Sequence, residues 1–118
     1  MSKKRGLQIK VDSESASKIL RVLSPQESFL FFTDIDQYTG EFAQSLEDFY
    51  NKISRVPLKS LDFHFERGDF KKWVRETLGD AYLADRIGKI NESTQTEKLR
   101  TALKRIVKRR LNQLTAKK

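Results

Sequence analysis

The sequence predicts an all-α protein, a compact single-domain bundle of five to seven helices. In several segments apolar residues recur three and four positions apart, the spacing that places them on one side of a helix. Ser, Asp, Pro and Gly residues stand where such helices would begin and end. The chain has 118 residues, enough for one domain with its own core. We therefore expect one helical domain over residues 12–118.

Residues 1–11 show no helical pattern and are predicted to form a flexible basic arm. Its cations are Lys3, Lys4, Arg5 and Lys10. Apolar and polar residues also alternate here, which would suit a short edge strand, but the arm is the preferred interpretation. The helical domain is expected to begin with Asp12 or Ser13 as the N-cap of a first helix.

The dipeptide Ser24-Pro25 is predicted to end this first helix and to begin a second one. Ser at the N-cap, Pro at the first helical position and Glu27 at the third form a helix-start signal. The run Phe29–Phe32 that follows is continuously apolar, and by periodicity alone it would equally fit a buried strand. The capping signal favours a helix through Phe32.

The middle of the chain alternates loops and short helices. Residues 33–40 are rich in Asp, Thr and Gly and predict a loop. Ser45 caps the clearest amphipathic helix, which ends at Val56-Pro57. Residues 61–66, with Ser60 as a candidate cap, fit one helical face or one strand face, and the sequence leaves that choice open.

Glycines and aspartates divide the next region into two further helices. Gly68 is a turn signal, Asp69 is predicted to cap a helix, and Gly79 ends that helix as a left-handed residue. Asp80 is predicted to cap the following one. The first of the two has a wide apolar stripe that includes Trp73. An exposed base-stacking Trp is the alternative, but a single Trp on such a stripe is more often in the core.

The longest predicted helix spans about residues 95–115, with Thr94 or Ser93 as its cap and Glu97 in its first turn. Its apolar face is interrupted by Arg110, and its opposite face is basic. Residues 98–118 contain nine cations and no acid, whereas residues 11–97 carry a net charge of −5 within a total of +8. A mildly acidic body therefore lies between two basic ends.

A row of cations without neighbouring acids suits phosphate neutralisation with little sequence discrimination. We therefore predict a non-enzymatic interaction module that binds nucleic acid or another polyanion. The candidate binding residues are Lys98, Lys104, Arg105, Lys108, Arg109, Lys117 and Lys118, with Lys3, Lys4 and Arg5 in the arm. A solvated helix face is the alternative, in which case the protein would be an adaptor subunit docking on a larger assembly.

His64 is the only histidine, and Asp62 and Glu66 alternate with it. On a strand the three would face one way and resemble a metal site, whereas on a helix they would diverge. A partly buried histidine with one hydrogen bond is preferred. No catalytic residue, metal or cofactor is therefore predicted, and His64 and Arg67 are kept as a candidate functional centre.

Cysteine is absent, which excludes disulfides and thiolate zinc sites. No apolar run approaches signal-peptide or bilayer-spanning length. The expected location is the cytoplasm.

The segment L-K-S-L-D-F-H-F-E-R-G-D-F-K-K-W-V, with F-L-F-F, Y-T-G and S-L-E-D-F before it and L-G-D-x-x-L-A-x-x-I after it, resembles a family of small uncharacterised prokaryotic domains. That family is frequent in archaea and is recognised by H-x-x-R-G-D-F-x-x-W. The resemblance covers Phe29 to Leu114. It implies a small helical domain, sometimes attached to larger enzymes, with no known activity to transfer; the basic arm lies outside it.

Overall fold

The computed structural model of the protein describes residues 11–116. These residues form six helices and one antiparallel pair of strands. The helices are α1 (Ser13–Leu20), α2 (Leu46–Ile53), α3 (Leu58–Arg67), α4 (Asp69–Trp73), α5 (Ala81–Gly88) and α6 (Thr96–Thr115), and the strands are β1 (Phe29–Asp34) and β2 (Gln37–Ala43). A 3₁₀ turn at Pro25–Glu27 precedes β1, and a π-helical segment at Val74–Leu78 continues α4. No helix among these residues is long and apolar enough to cross a membrane.

The prediction of an all-α fold is wrong, because the chain after the Ser24-Pro25 signal forms a strand. The predicted second helix is one 3₁₀ turn, and the backbone is extended again at Ser28 (φ −66°, ψ 152°). Phe29 and Phe31 are buried while Leu30 is 44% exposed, the two-residue alternation of a strand with one face on the core. Burial of both phenylalanines on one face outweighs the local capping signal.

The predicted loop at residues 33–40 is also wrong, because most of it belongs to a β-hairpin. Phe29 pairs with Ala43, and Asp34 pairs with Gln37, with irregularities in the register between them. The turn consists of Ile35 and Asp36, and Asp36 has a positive φ of 62°. Asp is one of the few residues that adopt this conformation readily.

Several predicted helix ends are confirmed by their hydrogen bonds. The Asp12 carboxylate accepts from the backbone N–H of the third helical residue at 2.7 Å, and the Ser45 hydroxyl does the same for α2 at 3.1 Å. Asp80 caps α5 by accepting the Leu83 N–H at 3.0 Å. Gly79 is left-handed, as predicted, with φ of 83°, and the turn predicted at Gly68 contains a left-handed residue with φ of 76°. These caps and glycine helix ends could be predicted from the sequence because each involves residues only three or four positions apart.

Three other capping predictions are wrong. The segment left open between helix and strand is helical, but α3 begins directly after Pro57, so Ser60 lies inside it. Asp69 is the first residue of α4, and Gly68 is its N-cap. The N-cap of α6 is Gln95 rather than Thr94 or Ser93, and Asp62 of α3 accepts the Thr96 N–H at 2.8 Å.

An aromatic cluster forms the centre of the core. The Phe29 ring lies 4.9 Å from Phe31, 5.2 Å from Phe70 and 5.5 Å from Trp73, measured between ring centroids. Trp73 is 8% exposed, and its indole N–H donates to the Glu27 carbonyl at 2.9 Å. The prediction that Trp73 belongs to the core is confirmed.

The cation in the apolar stripe of α6 has a buried partner. Arg110 is 6% exposed and Asp80 2% exposed. The guanidinium donates to both carboxylate oxygens, from Nε at 2.8 Å and from Nη2 at 3.0 Å, and lies 4.6 Å from the Tyr82 ring centroid. This bidentate pair ties α6 to the start of α5, so Arg110 belongs to the core and not to the basic face.

Candidate functional site

His64 is buried where α3 packs against β1, and both of its ring nitrogens are engaged. Nε2 lies 2.8 Å from the backbone nitrogen of Phe32, which can only donate, so Nε2 is the acceptor. Nδ1 lies 2.8 Å from Oδ2 of Asp69, an acceptor, so Nδ1 carries the proton. The ring is therefore a neutral Nδ1–H tautomer that bridges a strand to the start of α4.

Arg67 completes a trio around the same carboxylate. Its Nε donates to Oδ2 of Asp69 at 3.0 Å, and its guanidinium lies 5.0 Å from the ring centroid of Phe63. The left-handed turn at Gly68 reverses the chain so that Asp69 returns toward the end of α3. The sequence suggested His64 and Arg67 as a centre, and the carboxylate that joins them was mistaken for a helix cap.

Burial is the main influence on the protonation of His64. Loss of hydration disfavours the imidazolium and lowers the pKa of His64 below its ordinary value of 6.5. The hydrogen bond and charge of Asp69 act in the opposite direction, and the charge of Arg67 lowers the pKa further. The net shift is downward, so the imidazole is neutral near pH 7.

This shift predicts a loss of stability in mild acid. The unfolded chain binds a proton at His64 near the ordinary pKa, whereas the folded chain binds it only at lower pH. The stabilisation is therefore fully present above about pH 7 and is lost as pH falls from about 6.5 toward the folded-state pKa. Urea unfolding at about pH 7.5 and about pH 5.5 should show the lower stability at the acidic value.

His64→Gln is the control for this measurement, because His64 is the only histidine in the chain. Most carboxylates stay ionised at about pH 5.5, so the variant should lose little stability between the two pH values. Equal pH dependence in the two proteins would contradict the assignment to His64.

The Asp62 and Glu66 carboxylates do not join His64 in a metal site. α3 is a helix, so alternate residues diverge; Asp62 binds the start of α6 and Glu66 is exposed. Among residues 11–116 no three His, Asp or Glu side chains converge in a way that could hold a metal ion.

A cavity of about 470 Å³ opens beside the His64 trio. The hairpin forms one wall, and α3, α4 and the π-helical segment form the other. Its lining combines apolar and acidic side chains, among them Leu30, Phe32, Ile35, Phe63, Asp34 and Glu76. The volume falls in the range of ligand sites, which is about 300–1,000 Å³.

The basic face of α6 is a second candidate site. Its predicted cations within the described residues are Lys98, Lys104, Arg105, Lys108 and Arg109. Lys104 is half-buried, and the other four are exposed. Within residues 11–116 none of the five forms an ion pair with a carboxylate at 4.0 Å or less. Lys3, Lys4, Arg5, Lys117 and Lys118 lie outside the described residues.

Two tyrosines from neighbouring helices border these cations. The ammonium groups of Lys104 and Lys108 lie 5.7 Å and 5.5 Å from the ring centroid of Tyr50 on α2. On the other side of α6, Arg105 and Arg109 line a small groove with Tyr82 and Arg86 of α5.

Tyr50, Tyr82 and Arg86 were not predicted to belong to this site. Each lies on a different helix from the basic row, and helical periodicity relates only residues of one helix. Arg100 was predicted to belong to the basic end, but its guanidinium donates to the backbone carbonyls of Ile53 and Val56. Two of the arginines on α6, Arg100 and Arg110, are therefore structural.

Comparison with known proteins yields one family. The family model described as a family of unknown function (DUF5752) matches residues 26–118, which contain both candidate sites. No curated protein and no solved structure matches the chain. The expected resemblance to an uncharacterised family is confirmed; its central motif and archaeal distribution stay predictions.

Proposed function

The chain belongs to the family of unknown function DUF5752, and we propose that it is a non-enzymatic module that binds nucleic acid through the basic face of α6. The observation that carries this proposal is the set of five α6 cations that lack carboxylate partners within the described residues. A cation with no carboxylate partner is available to a phosphate without first breaking an ion pair. The N-terminal cations and the last two lysines are predicted to add to the same field.

The spacing of these cations supports a polyanion rather than a single anion. Lys98, Arg105 and Arg109 are seven and four residues apart, so they lie along one line of the helix. They span about 16 Å at the rise of an α-helix. Successive phosphates of one strand in a DNA duplex are about 3.4 Å apart along the duplex axis, so a row of this length extends past several phosphates and suits a polyanion better than one anion.

The surroundings of His64 support a function without chemistry at that residue. A general acid or base must reach a substrate proton with a ring nitrogen. In this fold Nε2 faces the Phe32 backbone and Nδ1 faces Asp69. We therefore assign His64 a positioning role in the fold.

The proposal predicts salt-dependent binding to a DNA or RNA duplex of arbitrary sequence. If the protein makes four phosphate contacts, its affinity should fall roughly a hundredfold between about 50 mM and about 200 mM salt. The reason is that the release of counterions from the nucleic acid is less favourable at higher salt. Changing Lys104, Arg105, Lys108 and Arg109 to Ala should remove most of this binding and flatten its salt dependence. Fluorescence anisotropy with a labelled duplex measures both effects.

A matched control removes two lysines and two arginines elsewhere. The exposed residues Arg55, Lys59, Arg75 and Lys89 lie off α6, and changing them to Ala gives the same net charge. Arg55 and Lys89 form exposed ion pairs, which contribute little to stability. No binding at low salt, or equal losses in the two variants, would refute a specific role for α6.

The alternative function, an adaptor subunit that docks on a larger assembly, is supported by a different surface. The hairpin and the cavity beside it expose apolar groups that α6 does not cover.

A further inference from the structure

The outer face of the hairpin carries an exposed apolar strip. Leu30 is 44% exposed, Ile35 69%, Tyr38 47% and Phe42 41%. Leu30 is paired with Phe42 across the strands, and the Phe32 and Tyr38 ring centroids lie 5.3 Å apart. Exposed single apolar residues are common, but a contiguous set of this kind usually marks an interaction surface.

The strip runs directly into the cavity beside His64. Leu30, Phe32 and Ile35 belong to both, and Phe63 and Trp73 continue the apolar wall inward. His64 also lines the cavity, but both of its ring nitrogens already form hydrogen bonds, to Phe32 and to Asp69. An occupant would therefore meet mainly apolar surface at the centre of the cavity.

The charged groups lining the cavity are mostly acidic. Asp34 and Asp36 stand on the turn of the hairpin, and Glu76 lies on the opposite wall. None of the three forms an ion pair within the described residues. Of the two cations in the lining, Arg67 is bonded to Asp69, which leaves Lys72. The free charge around the cavity is therefore net negative.

We propose that the hairpin strip and its cavity bind a basic, partly apolar peptide segment of a partner protein. Apolar side chains of the segment would enter between Ile35 and Phe63, and its lysines or arginines would face Asp34, Asp36 and Glu76. The strip continues past the cavity mouth to Tyr38 and Phe42, farther than a small molecule in the cavity would reach. A peptide covers both parts, and the acidic rim selects a cationic one.

This site is separate from the basic face of α6 and opposite to it in sign. The basic face attracts a nucleic acid and the acidic cavity attracts a basic peptide. Each proposal can therefore be tested, and refuted, without the other.

Trp73 provides the readout for a binding experiment. It is the only tryptophan in the chain and lies in the cavity wall. The probe is a short synthetic peptide of alternating lysine and leucine, and the matched control peptide has glutamate in place of lysine. We expect the lysine peptide to change the fluorescence of Trp73 in a saturable way and the glutamate peptide to have no effect.

Two pairs of variants locate the binding. Asp34→Asn, Asp36→Asn and Glu76→Gln together should weaken the lysine peptide about tenfold, which corresponds to two or more exposed ion pairs. Glu14→Gln, Glu47→Gln and Asp85→Asn change the net charge equally at exposed positions outside the cavity and should have little effect.

The second pair tests the apolar contact. Ile35→Ser should also weaken binding, whereas Val22→Ser, at a residue that is 76% exposed and outside the cavity, should not. Absence of binding, equal binding of the two peptides, or equal losses in the cavity and remote charge variants would overturn the proposal. Displacement of the peptide by an equal concentration of n-butylamine would overturn it too, since the site would then recognise a small amine.

Discussion

Replacing Arg110 with alanine is expected to lower the free energy of unfolding by about 3–5 kcal/mol, the usual loss when one partner of a buried ion pair is removed. The change leaves the carboxylate of Asp80, which is 2% exposed, without its bidentate partner. It also removes the ion pair that links α6 to the start of α5, where the Asp80 carboxylate caps the helix. Urea denaturation of the two proteins measures the difference.

The neighbouring residue provides the matched control. Arg109 is exposed and forms no ion pair within the described residues, so Arg109→Ala should change the stability by less than about 0.5 kcal/mol. Pairing Arg110→Met with Asp80→Asn should cost less than Arg110→Ala alone, since no charge is then left buried. A small loss for Arg110→Ala would mean that the carboxylate finds water or another donor.

Replacing Phe29 with alanine is expected to cost about 3–5 kcal/mol, the usual loss when a buried aromatic side chain is truncated. The Phe29 ring joins β1 to α4, since its neighbours include Phe31 in β1 and Phe70 and Trp73 in α4. Its removal would leave a cavity at the centre of the aromatic cluster. Chemical unfolding monitored by circular dichroism gives the value.

Leu30→Ala is the control and tests the strand directly. Leu30 follows Phe29 in the chain but points outward, so its truncation should change stability by less than about 0.5 kcal/mol. A strand requires this contrast between adjacent residues. Comparable losses at the two positions would contradict the alternation on which β1 rests.

The parts of the fold that the sequence predicted well depend on neighbours in the chain. Asp12, Ser45 and Asp80 cap helices because each side chain reaches an N–H three residues ahead. Gly68 and Gly79 end helices because glycine adopts the left-handed conformation at little cost. The basic face of α6 was predicted in the same way, from the periodicity of one helix.

The candidate sites were predicted less completely, since each combines residues from several elements. The sequence suggested His64 and Arg67, but the role of Asp69 depends on how α3 and α4 meet at Gly68. The cavity depends on a hairpin whose residues were predicted to form a helix and a loop. Tyr50, Tyr82 and Arg86 join the basic face only through the packing of α2 and α5 against α6.

The sequence by itself determined the starts of α1, α2 and α5, the glycines that end α3 and the segment after α4, which residue types fill the core, and that cations without acids gather at the C-terminal end. Only the tertiary structure decided that Phe29–Asp34 is a strand, that Arg110 is a core residue and that Asp69 binds His64 and Arg67. The physical reason is the range of the interactions. Caps and turns act within about four residues, whereas strand pairing, burial and ion pairs depend on residues that are distant in sequence and close in space.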